Sequence, residues 1–249
     1  MEGLWFNPKG SGTDKVLLYL HGGGFLVGSA QTGAVICGLL AKTADCQAFS
    51  LEYPLTPEST YPAQLDSAVA AYRMLLDRGF KPEKIVVAGD SAGGNLTLTL
   101  LCKLRDSGIP LPAGAYLVSP WADLTHSLPT HSLKAESDYA LTEGDLELMA
   151  GAYTGEGDRK NPYVSPVFAD LRGLPPLIIQ VGSMEVLLDD SLTLARNAAL
   201  ADVPVWLSVW PGYSHDFQMF HGSLAGGKRA LEEAGGISQT RVGQGSAAG

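Results

Sequence analysis

Ser91 stands in Gly89-Asp90-Ser91-Ala92-Gly93, directly after the apolar run Ile85-Val86-Val87-Ala88 and directly before a helix-length apolar segment that ends at Leu104. A serine flanked by glycines where a buried strand turns into a helix is the arrangement that exposes a hydroxyl for attack. Such a turn has no room for Cβ atoms at positions 89 and 93, and glycine removes them. The chemistry open to this serine is acyl transfer. It requires a base to take the proton, an acid to orient the base and N–H donors for the oxyanion. The pattern by itself is weak. With 30 glycines in 249 residues, a G-x-S-x-G arises by chance in roughly one chain in four. The bland alternative is a glycine-bearing turn without chemistry, so the helpers must decide.

Each helper has candidates. His21-Gly22-Gly23-Gly24 follows the strand-length apolar run Val16–Leu20, and an H-G-G-G arises by chance in only ~1% of chains of this composition. Three glycines in a row let backbone N–H groups turn inward, so the N–H groups of Gly23 and Gly24, with that of Ala92, are the candidate oxyanion donors. His21 is read as a brace for this loop. Of the five histidines, His215 lies just past the last strand-like run, Val205–Val209, and after every candidate acid, which is the order Ser…Asp/Glu…His. His126 and His131 precede the acid, and His221 falls in the next helical segment. The acid must leave the strand that ends at Val181-Gly182. Glu185, Asp189 and Asp190 compete there. The two aspartates read as the first turn of the following helix, where a carboxylate suits the positive end of the dipole. Glu185 is nearer the strand end and is the preferred acid. No metal-ligand spacing is present, and this chemistry calls for neither metal nor cofactor.

The elements that would position these residues alternate along the chain. Short apolar runs at 16–20, 47–51, 85–88, 113–118, 177–181 and 205–209 read as strands buried on both faces, with Gly3–Asn7 as an edge strand. Helical stripes separate them; Leu65, Ala68, Val69, Tyr72, Leu75 and Leu76 recur at helical period. The fold class is therefore α/β, with a mostly parallel central sheet and helices on both faces, in a single domain over residues 1–249. Residues 120–172 are polar and irregular around one helix that Thr142 would cap. An insertion of that length between strands is read as a lid. Residues 239–249 are small and polar and read as a flexible tail.

With these residues in place, the chain resembles the hormone-sensitive-lipase-like carboxylesterases of the α/β-hydrolase fold. The resemblance rests on HGGGF (21–25), YPLTPE (53–58), GDSAGG (89–94), SPWADLT (119–125), VGSMEVLLDD (181–190) and His215, and spans most of the chain. It implies a serine ester hydrolase acting on small, short- to medium-chain acyl esters through Ser91, His215 and Glu185. Glu185 falls where the family's acid is usually an aspartate. The family's N-terminal cap helices and extra strand have no counterpart before Gly3, which implies a lid built mainly from 120–172. A homodimer paired through the last strand is a further expectation from the resemblance.

Composition bounds the rest. A formal charge of −9 and the absence of a basic run exclude nucleic acid as a partner. No basic, apolar leader opens the chain and no run of membrane-spanning length occurs, so a cytoplasmic protein without a membrane span is expected. Cys37, Cys46 and Cys102 are odd in number and read as buried thiols. Two rival functions share these residues. An amidase or peptidase would use the same machinery on the same fold. A non-catalytic binder of a small apolar ligand, as in the plant gibberellin receptors that resemble this family, would have lost the histidine that stands here at 215.

Overall fold

A computed structural model describes residues 1–10, 12 and 14–237; the expected tail at 239–249 lies outside them. Seven strands form one sheet: β1 (Gly3–Phe6), β2 (Val16–Leu20), β3 (Gln47–Leu51), β4 (Ile85–Asp90), β5 (Gly114–Val118), β6 (Leu177–Gly182) and β7 (Val205–Trp210), in the spatial order β1-β3-β2-β4-β5-β6-β7. Only β1 runs antiparallel, with Gly3 opposite Leu51 and Phe6 opposite Ala48. The interior strands β2 and β5 are buried at every residue, and the edge strand β1 is half-buried as expected. The run at 205–209, read as buried on both faces, departs from that expectation: β7 is the other edge of the sheet and is mostly half-buried.

The helices are α1 (Ala30–Thr43), α2 (Ala63–Asp77), α3 (Ala92–Asp106), α4 (Thr130–Leu133), α5 (Glu143–Thr154), α6 (Leu188–Leu200) and α7 (Ala225–Ile237). α1 and α7 cover one face of the sheet, where Ile36, Leu40 and Leu231 meet Tyr19, Ala88 and Tyr116. α2 and α3 cover the other, where Leu65, Tyr72, Leu96 and Leu100 meet Leu18, Leu20 and Val87. α3 is buried on nearly all sides. Fully burying each of Leu96, Leu100 and Leu104 contributes about 1.5–3 kcal/mol, which fixes the helix that carries the elbow.

The strand order positions the site. From β2 the chain crosses to β3 on one side, then returns to β4 on the other. The gap between the carboxyl ends of β2 and β4 is therefore the topological switch point, where open α/β sheets hold their ligands. The His21–Gly24 loop leaves β2 and Ser91 leaves β4 at that gap. The insertion between β5 and β6 carries α4 and α5. Thr142 caps α5 in a reciprocal capping box with Asp145, as expected. Leu146, Ala150 and Tyr153 of α5 are buried in the same core as Phe25 and Trp121, so the insertion packs onto the loop after β2.

Candidate active site

Ser91 takes φ 53°, ψ −117°, a strained conformation for a residue with a side chain, at the junction of β4 and α3. Three backbone bonds hold it there: Ser91 N–H to Val118 O at 2.8 Å, Trp121 N–H to Ser91 O at 3.0 Å and Asn95 N–H to Ser91 O at 3.1 Å. The two glycines of the elbow are required by space. A Cβ on Gly89 would strike the Gly93 carbonyl, and one on Gly93 would strike the Leu20 carbonyl of the neighbouring strand. The turn thus depends on β2 passing close behind it, and β2 delivers the His21–Gly24 loop to the same place.

In that loop Gly23 and Gly24 have φ 113° and 62°, and the Gly23 carbonyl is turned away to accept from Leu26 and Val27 N–H at 3.1 and 2.9 Å. Among the described hydrogen bonds, none uses the N–H of Gly23, Gly24 or Ala92. His21 braces the loop as expected. Its ring stacks on Tyr53 (centroids 4.1 Å apart, planes 8° apart), and the Tyr53 hydroxyl donates to the His21 carbonyl at 2.6 Å.

Behind the serine, His215 Nδ1 lies 2.9 Å from Glu185 Oε2. Glu185 is fully buried; its Oε1 accepts from the Ser119 hydroxyl at 2.7 Å and from the Gly182 N–H. Burial pushes the Glu185 carboxyl up from its ordinary value, and the bonds from His215 and Ser119 pull it part of the way back. Burial would lower the His215 imidazole, but the carboxylates of Asp216 and Glu185 outweigh it and hold the ring well above its ordinary value. Asp216 Oδ2 lies 3.1 Å from His215 Nε2. Next to this group Asp90 is buried, accepts from the Tyr19 hydroxyl, and has its carboxyl raised to about 7 by burial and then by Asp216.

Ser91, His215, Asp216, Gly23, Gly24 and Met149 of α5 line one cavity of about 320 Å³. A larger cavity of about 600 Å³ opens at the opposite end of the sheet, near Lys15, Leu40 and Pro176. None of the candidate site residues lines it; they gather at the smaller one.

The chain matches a family model described as alpha/beta hydrolase fold over residues 17–219. It is 43% identical over 241 residues to an acetyl-hydrolase of Streptomyces hygroscopicus, covering 97% of this chain and 80% of that one. It is 37% identical over 220 residues to an esterase of Acinetobacter venetianus, covering 88% and 73%. A crystal structure of an esterase from the bacterial hormone-sensitive lipase family superposes with a TM-score of 0.94 at 38% identity, covering 97% of this chain and 84% of that one. The EstE5 structure soaked with p-nitrophenyl butyrate gives 0.93 at 42%, covering 96% and 80%. This chain belongs to the α/β-hydrolase family, among the hormone-sensitive-lipase-like ester hydrolases.

Within this family frame, the competing residues of the sequence reading fall elsewhere. Asp189 and Asp190 do lie in the first turn of α6. Asp190 is fully buried, accepts from the N–H groups of Ala122 and Asp123 at 2.7 and 2.8 Å, and pairs with His131 Nε2 at 3.0 Å. Asp189 accepts from Thr130 N–H at 3.0 Å. Both aspartates fasten the insertion to α6. His126 stacks on Trp121, and His221 Nε2 meets the Val35 carbonyl. His221 follows the 3-10 turn Phe217–Phe220 and does not sit inside a helix. The three cysteines are free and buried. No helix among the described residues is long and apolar enough to cross a membrane.

Three residues escaped the sequence reading. Ser119 and Asp90 lie inside quoted motifs, SPWADLT and GDSAGG, yet only the fold turns them toward the acid and the pocket. Asp216 adjoins His215 in sequence, but adjacency alone does not place its carboxylate against the ring.

Proposed function

We propose that the chain hydrolyses small carboxylic esters, with short to medium acyl chains, through an acyl-enzyme on Ser91. His215 takes the Ser91 proton as the hydroxyl attacks the ester carbonyl. The N–H groups of Gly23, Gly24 and Ala92 receive the oxyanion, and Glu185 holds the imidazole by Nδ1 so that Nε2 faces the reaction. His215 then returns the proton to the leaving alcohol, and water repeats the sequence on the acyl-enzyme. The observation that carries this reading is the buried 2.9 Å contact between Glu185 and His215 beside the strained Ser91. A cavity of about 320 Å³ under Leu146 and Met149 supports a small acyl group. We also propose that residues 120–172, through α5, act as the lid over this cavity.

The test is hydrolysis of p-nitrophenyl acetate and p-nitrophenyl butyrate by the wild type and by Ser91→Ala. The variant should lose about 10⁴-fold or more in kcat. Turnover by the variant at the wild-type rate would reject the assignment.

A further inference from the structure

The His215 ring has a carboxylate at each nitrogen. Glu185 Oε2 is 2.9 Å from Nδ1, and Asp216 Oδ2 is 3.1 Å from Nε2, the nitrogen that must accept the Ser91 proton. Asp216 has φ 51°, ψ 35°, the left-handed conformation that sets its carboxylate beside the ring of the preceding residue. It is only 8% exposed, it lines the cavity that holds Ser91, and its second oxygen, Oδ1, is buried without a hydrogen-bond partner among the described residues. Burying an anion is costly unless it is paired, and the positive charge available to pair it is an imidazolium at 215.

We propose that Asp216 is a positioning residue for the base: a second anionic partner that steadies the imidazole at Nε2 and sets the lowest pH at which His215 is free to take the Ser91 proton. The proposal rests on the triad reading above. The titratable groups that face Asp216 are Asp90 of β4, Tyr19 of β2, Tyr116 of β5, Glu185 after β6 and His215 itself. Among these only His215 can carry positive charge. Asp90, tied to Tyr19, has its carboxyl raised by burial and then by the like charge of Asp216, so it adds no positive charge to pair Asp216. The sign follows from Coulomb's law: a negative charge beside Nε2 favours the imidazolium, so removing it lets His215 lose its proton at lower pH.

The test compares wild type, Asp216→Asn and Asp216→Gly. Asparagine keeps the shape and tolerates the left-handed backbone, and glycine adopts it freely. kcat/KM for p-nitrophenyl acetate is followed from about pH 5 to about pH 9, across the range in which a histidine titrates, and the His215 ring is titrated by NMR. Both variants should show an acidic limb displaced to lower pH, with the variant-to-wild-type ratio rising several-fold toward acid, and NMR should show the same displacement. A limb that stays in place, moves to higher pH, or gives way to a uniform loss at every pH in both folded variants overturns the role of Asp216. A wild type that neither turns over esters nor is labelled at Ser91 by an organophosphate overturns the triad reading and this proposal with it.

Discussion

Replacing Glu185 by glutamine tests the acid through a detail of the structure. Glu185 Oε1 receives two donors, the Ser119 hydroxyl at 2.7 Å and the Gly182 N–H. The hydroxyl can rotate, but the backbone N–H cannot turn round. The amide oxygen of the glutamine must therefore take the Oε1 position, which places its NH₂ where Oε2 now meets His215 Nδ1 at 2.9 Å. An NH₂ there can only donate, so Nδ1 must become an acceptor and the ring proton moves to Nε2. The imidazole is then in the tautomer that cannot accept the Ser91 proton. Loss of the correct tautomer with geometry intact costs a serine hydrolase about 10⁴-fold in kcat, or about 5.5 kcal/mol of barrier. The assay is kcat for p-nitrophenyl butyrate, with a thermal melt to show that Glu185→Gln is folded. Asp189→Asn, whose carboxylate serves Thr130, should stay within about two-fold, the ordinary range for a residue outside the reacting set. A folded Glu185→Gln that retains more than about a tenth of wild-type kcat, or a larger loss in Asp189→Asn, would refute the reasoning.

Because the flanking carboxylates hold His215 above its ordinary 6.5 against the effect of burial, the acidic limb of kcat/KM should lie above that value; a limb at or below it contradicts the reading. The charged ring's contribution to folding is fully present below 6.5 and fades as pH rises through the raised value. Activity should therefore rise with pH while this share of stability, read from urea midpoints, falls. Asp190→Asn leaves His131 and two buried N–H groups with a neutral partner. It should cost about 3 kcal/mol, a drop of roughly 6–12 °C in Tm for a chain of this length. The folded fraction should keep its kcat; an unchanged Tm would show that the pair does not fasten the insertion.

The parts of this molecule that were legible in the sequence are those that a local pattern determines. The run Val16–Leu20 reads as a strand buried on both faces, and Gly89 and Gly93 report a turn whose neighbours leave no space. The acid was harder. Glu185, Asp189 and Asp190 lie within six residues of one another, and only the packing of β6 against β7 shows which carboxylate faces the loop of His215. Ser119 carries no local sign of its role, because its bond to Glu185 joins residues 66 apart in the chain. An aspartate beside a histidine, as at 216, carries no message until its backbone is known to be left-handed. The insertion was recognised by its length, while the ties that hold it, Asn95 to the Trp121 and Val164 carbonyls at 2.8 Å each, depend on partners distant in sequence.

In the proposed mechanism Ser91, His215 and Glu185 work as one unit facing the amides of Gly23, Gly24 and Ala92. Its most direct test is peptide mapping by mass spectrometry after treatment with an organophosphate. A single adduct is expected on Ser91, forming at a rate that matches the loss of esterase activity, absent from Ser91→Ala and far slower to form in Glu185→Gln. Complete loss of activity with the adduct on any other residue, or undiminished ester turnover with Ser91 fully modified, would contradict it.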